Sequence, residues 1–249
     1  MRGARMKAAA VAVLCLLPRL GAADVLLVGG RAETLSPGGV GGGGGLEWQH
    51  TVARTRMLRL GASAFTLPGA RWSSATAGLA APLGRLHATI DGTLGHSSLD
   101  GLYGVTRASV TAPLHRRVLV TAALQGLGGT SRGTLLEGGL VLQPTSALAV
   151  QGSYFQSASG TLGTRLGTAK AILSVGSRRY LAGGAIGRSS PSVIGVRDGA
   201  PPQTLVHLFV GTAVPVGRTG DELLLTIERY DLDAATRTQL SIGWKLGLR

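Results

Sequence analysis

The chain has 249 residues, a formal net charge of +13, 40 glycines and a single cysteine. So much glycine disfavours a helical protein, because glycine lowers helix propensity, whereas strands and their bends tolerate it. The lone cysteine, Cys15, excludes an internal disulfide and a metal centre built from several thiolates.

The N-terminal segment has the pattern of a secretory signal peptide. Basic residues at Arg2, Arg5 and Lys7 precede an apolar run over residues 8–17, and small residues occupy 21–23. The apolar run is shorter than the ~20 residues that a spanning helix needs. We predict a signal peptide over residues 1–23 that is cleaved, with an uncleaved anchor as the alternative. Because a secreted chain does not meet nucleic acid, the positive charge does not predict a nucleic-acid partner.

Residues 24–249 form one predicted domain made of β-strands. Most of the strands are about ten residues long, which is the length that a tilted strand needs to cross a bilayer. The fourteen predicted strands cover residues 25–34, 45–53, 57–66, 71–81, 85–94, 102–112, 117–126, 133–142, 147–156, 164–173, 179–188, 204–214, 221–230 and 236–248.

The last predicted strand shows the clearest alternation of apolar and polar residues. Leu240, Ile242 and Trp244 share one face, and Gln239 and Ser241 lie on the other. A period of two with one apolar face is the signal of a strand that meets different surroundings on its two sides.

The connections between the predicted strands alternate in character. Short links such as 82–84 and 113–116 open on a proline, whereas most of the other links are longer and rich in Gly and Ser. Residues 38–45 are nearly all glycine and are predicted to form a flexible surface loop. Short turns at one end, longer loops at the other and an even strand count are typical of outer-membrane barrels, with both termini on the periplasmic side.

This pattern resembles that of bacterial outer-membrane β-barrel proteins and is porin-like in general form. The resemblance implies an all-β fold: a closed antiparallel up-and-down transmembrane barrel of 12–14 strands with short periplasmic turns and longer external loops. It also implies a location in the bacterial outer membrane, with outer-membrane lipids and the barrel-assembly machinery as partners. The chain ends in Leu248-Arg249, whereas many family members end on an aromatic residue. The oligomeric state stays open.

The faces opposite the apolar ones are predicted to line the interior of this barrel. A charged residue on the lipid face would cost about 2–4 kcal/mol near the membrane midplane, so charged residues favour the inside. Two readings remain open: a polar passage with weak charge selectivity, and a set of ion pairs that closes the barrel. The predicted lining residues are Arg31, Glu33, Glu47, Arg59, His87, Asp91, Arg107, Glu137, Lys170, Glu228 and Lys245.

Further basic residues gather at the short links and predict a positively charged rim. Such a rim would either meet phospholipid headgroups or be a solvated edge without a specific ligand. Its members are Arg54, Arg56, Arg85, Arg116, Arg117, Arg178, Arg179 and Arg218. The ten aromatic residues predict only a sparse girdle at the membrane interfaces, since alternation turns Phe65 and Trp72 inward.

One group of residues offers a catalytic alternative. His96, Ser98 and Asp100 lie in a predicted external loop, and a histidine beside a serine can make it a nucleophile. Outer-membrane lipid hydrolases use a similar His-x-Ser pair. The other histidines are scattered without metal-ligand spacing, so neither a metal nor a cofactor is predicted.

The leading functional interpretation is a passive channel for small polar solutes or a structural barrel, and not an enzyme. An outer-membrane lipid hydrolase centred on His96 and Ser98 is one alternative. A soluble secreted β protein is another, which is disfavoured because the apolar faces carry few large residues for a packed core.

Overall fold

The computed structural model describes residues 24–36, 38–53, 55–99, 101–129, 132–160, 163–189, 202–217, 221–233 and 235–248. The first seven strands are β1 (Asp24–Ser36), β2 (Gly39–Ala53), β3 (Arg56–Leu67), β4 (Ala70–Leu83), β5 (Leu86–Ser97), β6 (Gly101–His115) and β7 (Val118–Gly128). The others are β8 (Gly133–Leu142), β9 (Leu148–Gly160), β10 (Arg165–Val175), β11 (Arg178–Ser189), β12 (Gln203–Val216), β13 (Asp221–Leu232) and β14 (Ala235–Leu248).

These strands form a closed barrel. Each pairs in antiparallel fashion with its neighbours in the chain, and β1 pairs with β14 along all 13 of its residues. The predicted fold class is therefore confirmed, with the strand count at the upper end of the predicted range. Fourteen strands spaced about 4.8 Å apart and tilted by about 40° give a backbone diameter of about 28 Å.

The two ends of the barrel differ in what they carry. The terminus side holds Asp24, Leu248 and the links 54–55, 84–85, 116–117, 143–147, 176–177 and 217–220. The loop side holds the links 37–38, 68–69, 98–100, 129–132, 161–164, 190–202 and 233–234. Most strands extend a few residues beyond their predicted ends, so most loop-side links are shorter than predicted.

A belt of apolar side chains covers the outer surface. Leu94, Ile186 and Leu208 are 74%, 67% and 60% exposed, and many further Leu, Val and Ile side chains are exposed around the barrel. A soluble protein rarely exposes a contiguous apolar surface of this extent. The belt follows directly from the period-two pattern, since every second residue of each strand points outward.

The glycine-rich segment departs from its prediction. It is not a loop, because residues 39–45 form the first half of β2 and pair with β1, and residues 42–45 also pair with β3. The physical reason is close approach: a Cβ at Gly43 would overlap the backbone carbonyl of Ala64, and one at Gly45 would lie 2.9 Å from the Ala62 carbonyl. Glycine is therefore required here by the packing of the strand. Among the described residues, no helix is long and apolar enough to cross a membrane.

Candidate solute passage

The face of the sheet opposite the apolar belt carries the charged and polar residues. The register pairs Thr226 with Ser241 and Ser241 with Arg31, and the exposed side chains of Leu225 and Ile242 point the other way. All eleven residues predicted to line the interior lie on this same inward face.

Two ion pairs cross the wall formed by β3 to β8. Arg59 on β3 reaches over β4 to Asp91 on β5, and Gly78 lies between them. A Cβ at Gly78 would overlap the Asp91 carboxylate, so the pair needs glycine at that position. Arg107 on β6 reaches Glu137 on β8 with an Nη2–Oε2 distance of 2.5 Å. The charges alternate along this wall, and each is compensated locally.

A hydrogen-bonded cluster lies at the seam between β14 and β1. The Arg237 guanidinium donates to Glu33 Oε2 over 2.9 Å and to Gln239 Oε1 over 2.9 Å. Gln239 in turn donates to Glu228 Oε1 over 3.4 Å and to Ser241 Oγ over 2.9 Å. Glu33, Arg237 and Gln239 are all buried. The network therefore joins the first strand to the last two strands of the chain.

His207 and Tyr230 extend this cluster onto β12. Their rings stack with centroids 4.0 Å apart, and Tyr230 donates to Glu228 Oε2 over 2.6 Å. His207 Nε2 lies 3.1 Å from the same carboxylate oxygen. Alternation did not mark His207 for the interior, because it falls between Leu205 and Phe209 on an otherwise apolar face.

A second cluster lies nearer the terminus side and was missed by the sequence analysis. Glu222 accepts hydrogen bonds from Arg179 Nη2 over 2.8 and 2.7 Å and from Lys245 Nζ over 3.2 Å. Arg179 was predicted to belong to the basic rim. Strand alternation could have identified Glu222 as inward-facing. It lies six residues, an even number, before the inward-facing Glu228 on the same strand, so both side chains point to the same face.

Two cations on the inward face have no carboxylate partner among the described residues. Arg31 places its guanidinium carbon 3.9 Å above the centre of the Phe65 ring. Lys170 on β10 lies beside Gln151 and Gly183 in the register. Glu47 is an inward carboxylate that accepts a hydrogen bond from Gln49 over 2.7 Å. These groups are available to a mobile ion or a solute.

Most aromatic side chains also point inward. This is a departure from the expected girdle, and its reason is that these residues have the parity of the inward face. Only Tyr154, Tyr180 and Trp244 are clearly exposed outside, at 50%, 42% and 46%. Trp48 is buried and lies well inside β2, whose first residue is Gly39. The inward aromatic residues are Phe65, Trp72, Tyr103, Phe155, Phe209 and Tyr230.

A cavity of about 490 Å³ lies on the inward wall near the seam. Its wall includes Gly243, Gly29 and Gly45, which are paired in one row across β14, β1 and β2. Arg31 and Glu47 border the same cavity. A second cavity, of about 420 Å³, lies beside the two ion pairs of the opposite wall.

The predicted catalytic group is only partly described. Asp100 lies outside the described residues. His96 is exposed on the outward face of β5, and Ser98 Oγ accepts a hydrogen bond from the Arg71 backbone amide over 3.0 Å. Among the described residues no hydrogen bond joins His96 to Ser98, so the structure offers no activated serine there.

The basic rim is present on the terminus side. Arg56, Arg85, Arg116, Arg117 and Arg178 lie at or next to the links of that side and are exposed. Arg54 and Arg218 lie outside the described residues. Arg179 differs from the others, because it turns inward to Glu222.

Comparison with known proteins identifies the fold. No family model matches the chain, and no curated sequence does. The chain is similar to the CymD monoaromatic hydrocarbon channel, with a TM-score of 0.66 and 12% identity over 93% of this chain and 90% of that one. It is also similar to the outer membrane protein Omp33 of Acinetobacter baumannii, with a TM-score of 0.58 and 10% identity over 91% of this chain and 100% of that one.

A third similar structure is described as a bacterial polysaccharide outer membrane secretin. It has a TM-score of 0.54 and 9% identity over 92% of this chain and 99% of that one. By their descriptions, the second and third are bacterial outer-membrane proteins and the first is a channel. At these identities the likeness shows a common fold: this chain is a closed antiparallel barrel of the kind found in outer-membrane channels.

Proposed function

We propose that the chain is an integral barrel of the bacterial outer membrane whose interior is a passive passage for small solutes. The observation that carries the proposal is the separation of the two faces. Apolar residues cover the outside, and the inside bears charged and polar groups in every part of the wall. In hydrocarbon the only spanning sheet is a closed one, because it leaves no unpaired backbone at an edge.

The strand count supports a passage over a solid core. Eight strands leave an interior that side chains fill, and sixteen to eighteen leave an aqueous channel. Fourteen strands lie between these limits, so the width depends on the side chains. Here several inward charges pair along the wall with near neighbours, as Arg59 does with Asp91, an arrangement that favours an open centre over one filled by ion pairs. The description of CymD as a channel supports the same class.

Orientation and partners follow from the same proposal. The even strand count places both termini on one side of the barrel, and we assign that side to the periplasm, as in bacterial single-chain barrels. The exposed basic rim on that side then meets anionic headgroups, with about 1 kcal/mol per basic residue near the surface. The barrel-assembly machinery inserts the chain, and the interior needs no cofactor.

The test is electrical and uses a matched pair of cysteine variants. Purified barrel, with folding verified by a heat-dependent gel shift, is placed in a planar bilayer, where discrete current steps are expected. Ser109→Cys places a thiol on the inward face and Val110→Cys places one on the outward face of β6. A charged methanethiosulfonate reagent should lower the current of the first variant and leave that of the second unchanged.

Two results would contradict the proposal. A folded sample that gives no current steps has no open passage. Equal sensitivity of both variants to the reagent would mean that the two faces are not separated as described. Because Cys15 is the only native cysteine and lies in the predicted signal peptide, the background reaction is small.

A further inference from the structure

The cavity beside the seam has a wall without side chains. Gly243, Gly29 and Gly45 are direct neighbours across three strands, so their backbones form a flat strip about 10 Å wide. Added Cβ atoms at Gly29 and Gly45 would lie 3.1 Å and 2.9 Å from the carbonyl oxygens of Ile242 and Ala62. The close packing of the backbone therefore keeps larger residues out of these two positions of the strip.

A row of hydrogen-bond donors borders this strip on the loop side. Thr226, Ser241 and Arg31 are direct neighbours across β13, β14 and β1, and all three border the cavity. Ser241 Oγ accepts a hydrogen bond from Gln239, so its own hydroxyl hydrogen is left to donate. Three donors in one row, one of them a cation, are suited to an anionic group.

Arg31 is held in place without a direct carboxylate contact. Its guanidinium carbon lies 3.9 Å from the centre of the Phe65 ring, a contact that leaves the N–H groups of the cation able to donate. The carboxylates of the next row are already engaged: Glu33 by Arg237, and Glu228 by Tyr230 and Gln239. Among the described residues no ion pair or hydrogen bond joins Arg31 to a carboxylate, although Glu33 and Glu228 act on its charge from a distance. Its N–H groups are therefore available to a ligand.

The remaining lining is mainly apolar, although Glu47, Ser63 and Gln239 also border the cavity. Leu27 and Leu224 flank the glycine strip, and Phe65 lies beyond it on the loop side. The strip and the donor row are two residues apart along the strands, which corresponds to about 7 Å. That spacing is the length of a one-ring carboxylate, and the cavity volume of about 490 Å³ is sufficient for one such molecule.

From this arrangement we propose that the cavity binds a small aromatic carboxylate. Its carboxylate meets Arg31, Ser241 and Thr226, and its ring lies against the glycine strip between Leu27 and Leu224. The inference deepens the proposed function, on which it rests, by naming a substrate class for the passage. A polyhydroxylated ring is a poor fit, since the strip and the leucines would leave its hydroxyl groups without partners.

Equilibrium binding to the detergent-solubilised barrel tests the site without requiring a current. The probe is benzoate, measured by calorimetric titration. Acetate supplies the anion without a ring, benzyl alcohol supplies the ring without a charge, and glucuronate supplies a polar ring with a carboxylate. We expect benzoate to bind more tightly than each of the other three.

Two variants remove the two halves of the site. Arg31→Gln deletes the cation, and Gly243→Val fills the strip, where an added Cβ would have only the Leu224 side chain at 3.5 Å as its nearest neighbour. Each should raise the dissociation constant for benzoate roughly tenfold or more, the loss expected for a charged hydrogen bond or a blocked surface. Folding of each variant is checked by the heat-dependent gel shift.

Two matched variants are the controls. Lys170→Gln removes the other unpaired cation, and Gly138→Val adds the same side chain on the outward face, where nothing lies within 4 Å. Neither should change benzoate binding. The inference is overturned if the wild type does not bind benzoate, if Arg31→Gln binds it equally well, or if glucuronate binds as tightly.

The two proposals fail separately. A barrel that binds benzoate but carries no current would support the binding site and contradict the proposed channel. A barrel that gives current steps but does not bind benzoate would support the channel and contradict the binding site.

Discussion

Arg237 and Glu33 form a buried ion pair between residues that are 204 positions apart in the chain. The pair joins β14 to β1 and therefore lies across the seam that closes the barrel. Arg237 Nε donates a hydrogen bond to Glu33 Oε2 over 2.9 Å, and Nη2 lies 2.8 Å from the same oxygen as an ion-pair contact.

Replacing Arg237 should destabilise the barrel strongly. Arg237→Ala leaves the Glu33 carboxylate buried and uncompensated, for which we expect a loss of about 3–5 kcal/mol in the free energy of unfolding. The measurement is denaturant unfolding in lipid vesicles. Arg229→Ala is the control, because its partner Asp231 is exposed on the outer surface; comparable losses in the two variants would contradict the argument.

Gly78 should tolerate no side chain. Gly78→Ala places a methyl group where the Asp91 carboxylate lies, so the pair with Arg59 must separate. We expect a loss of roughly 1–3 kcal/mol, typical of overpacking. Gly92→Ala, next to Asp91, has nothing within 4 Å of the added atom and should have little effect in the same unfolding measurement. Equal stability of both variants would refute the tight placement of Gly78.

A charge introduced at two neighbouring positions on β13 should lower the stability of the barrel by very different amounts. Leu225→Arg puts a guanidinium on the apolar belt and should cost about 2–4 kcal/mol of stability near the membrane midplane. Thr226→Arg puts it on the polar inward face and should cost much less. The difference is measured by unfolding in vesicles, and a reversed order would show that the faces are assigned wrongly.

Lys170 should influence ion selectivity. With its cation unpaired among the described residues, Lys170→Glu changes the charge of the interior by two units and should shift the reversal potential in a salt gradient toward cation preference. Lys170→Gln should give about half that shift, since it removes one charge. An unchanged reversal potential in both variants would mean that Lys170 lies away from the ion path.

Much of the fold was predictable because the alternation of apolar and polar residues is a local signal. The spacing of Leu240, Ile242 and Trp244 predicts the outward face of β14 from the local sequence alone, whatever strands pair with it. The first half of β2 has no such signal, because a run of glycines contains no alternation of apolar and polar side chains. Its strand character comes from backbone contacts with β1 and β3, such as the one between Gly43 and Ala64, and these depend on residues elsewhere in the chain.

The candidate site was predictable only in part for a related reason. Parity places Arg31 on the inward face, and the sequence analysis included it. The rest of the site depends on register between strands, which decides that Ser241 and Gly29 become neighbours of residues far away in sequence. A serine or a glycine carries no functional signal in a single sequence. Its role here depends on which residues lie beside it on the neighbouring strands.

The seam between β1 and β14 also has a kinetic consequence. Its two strands lie at opposite ends of the folded chain, so the loop-closure entropy of nearly the whole polypeptide is lost when they meet. The Arg237–Glu33 pair can form only in that step. Loss of this pair should therefore mainly accelerate unfolding and leave the rates of the earlier folding steps unchanged, because the interaction is absent until the barrel has closed.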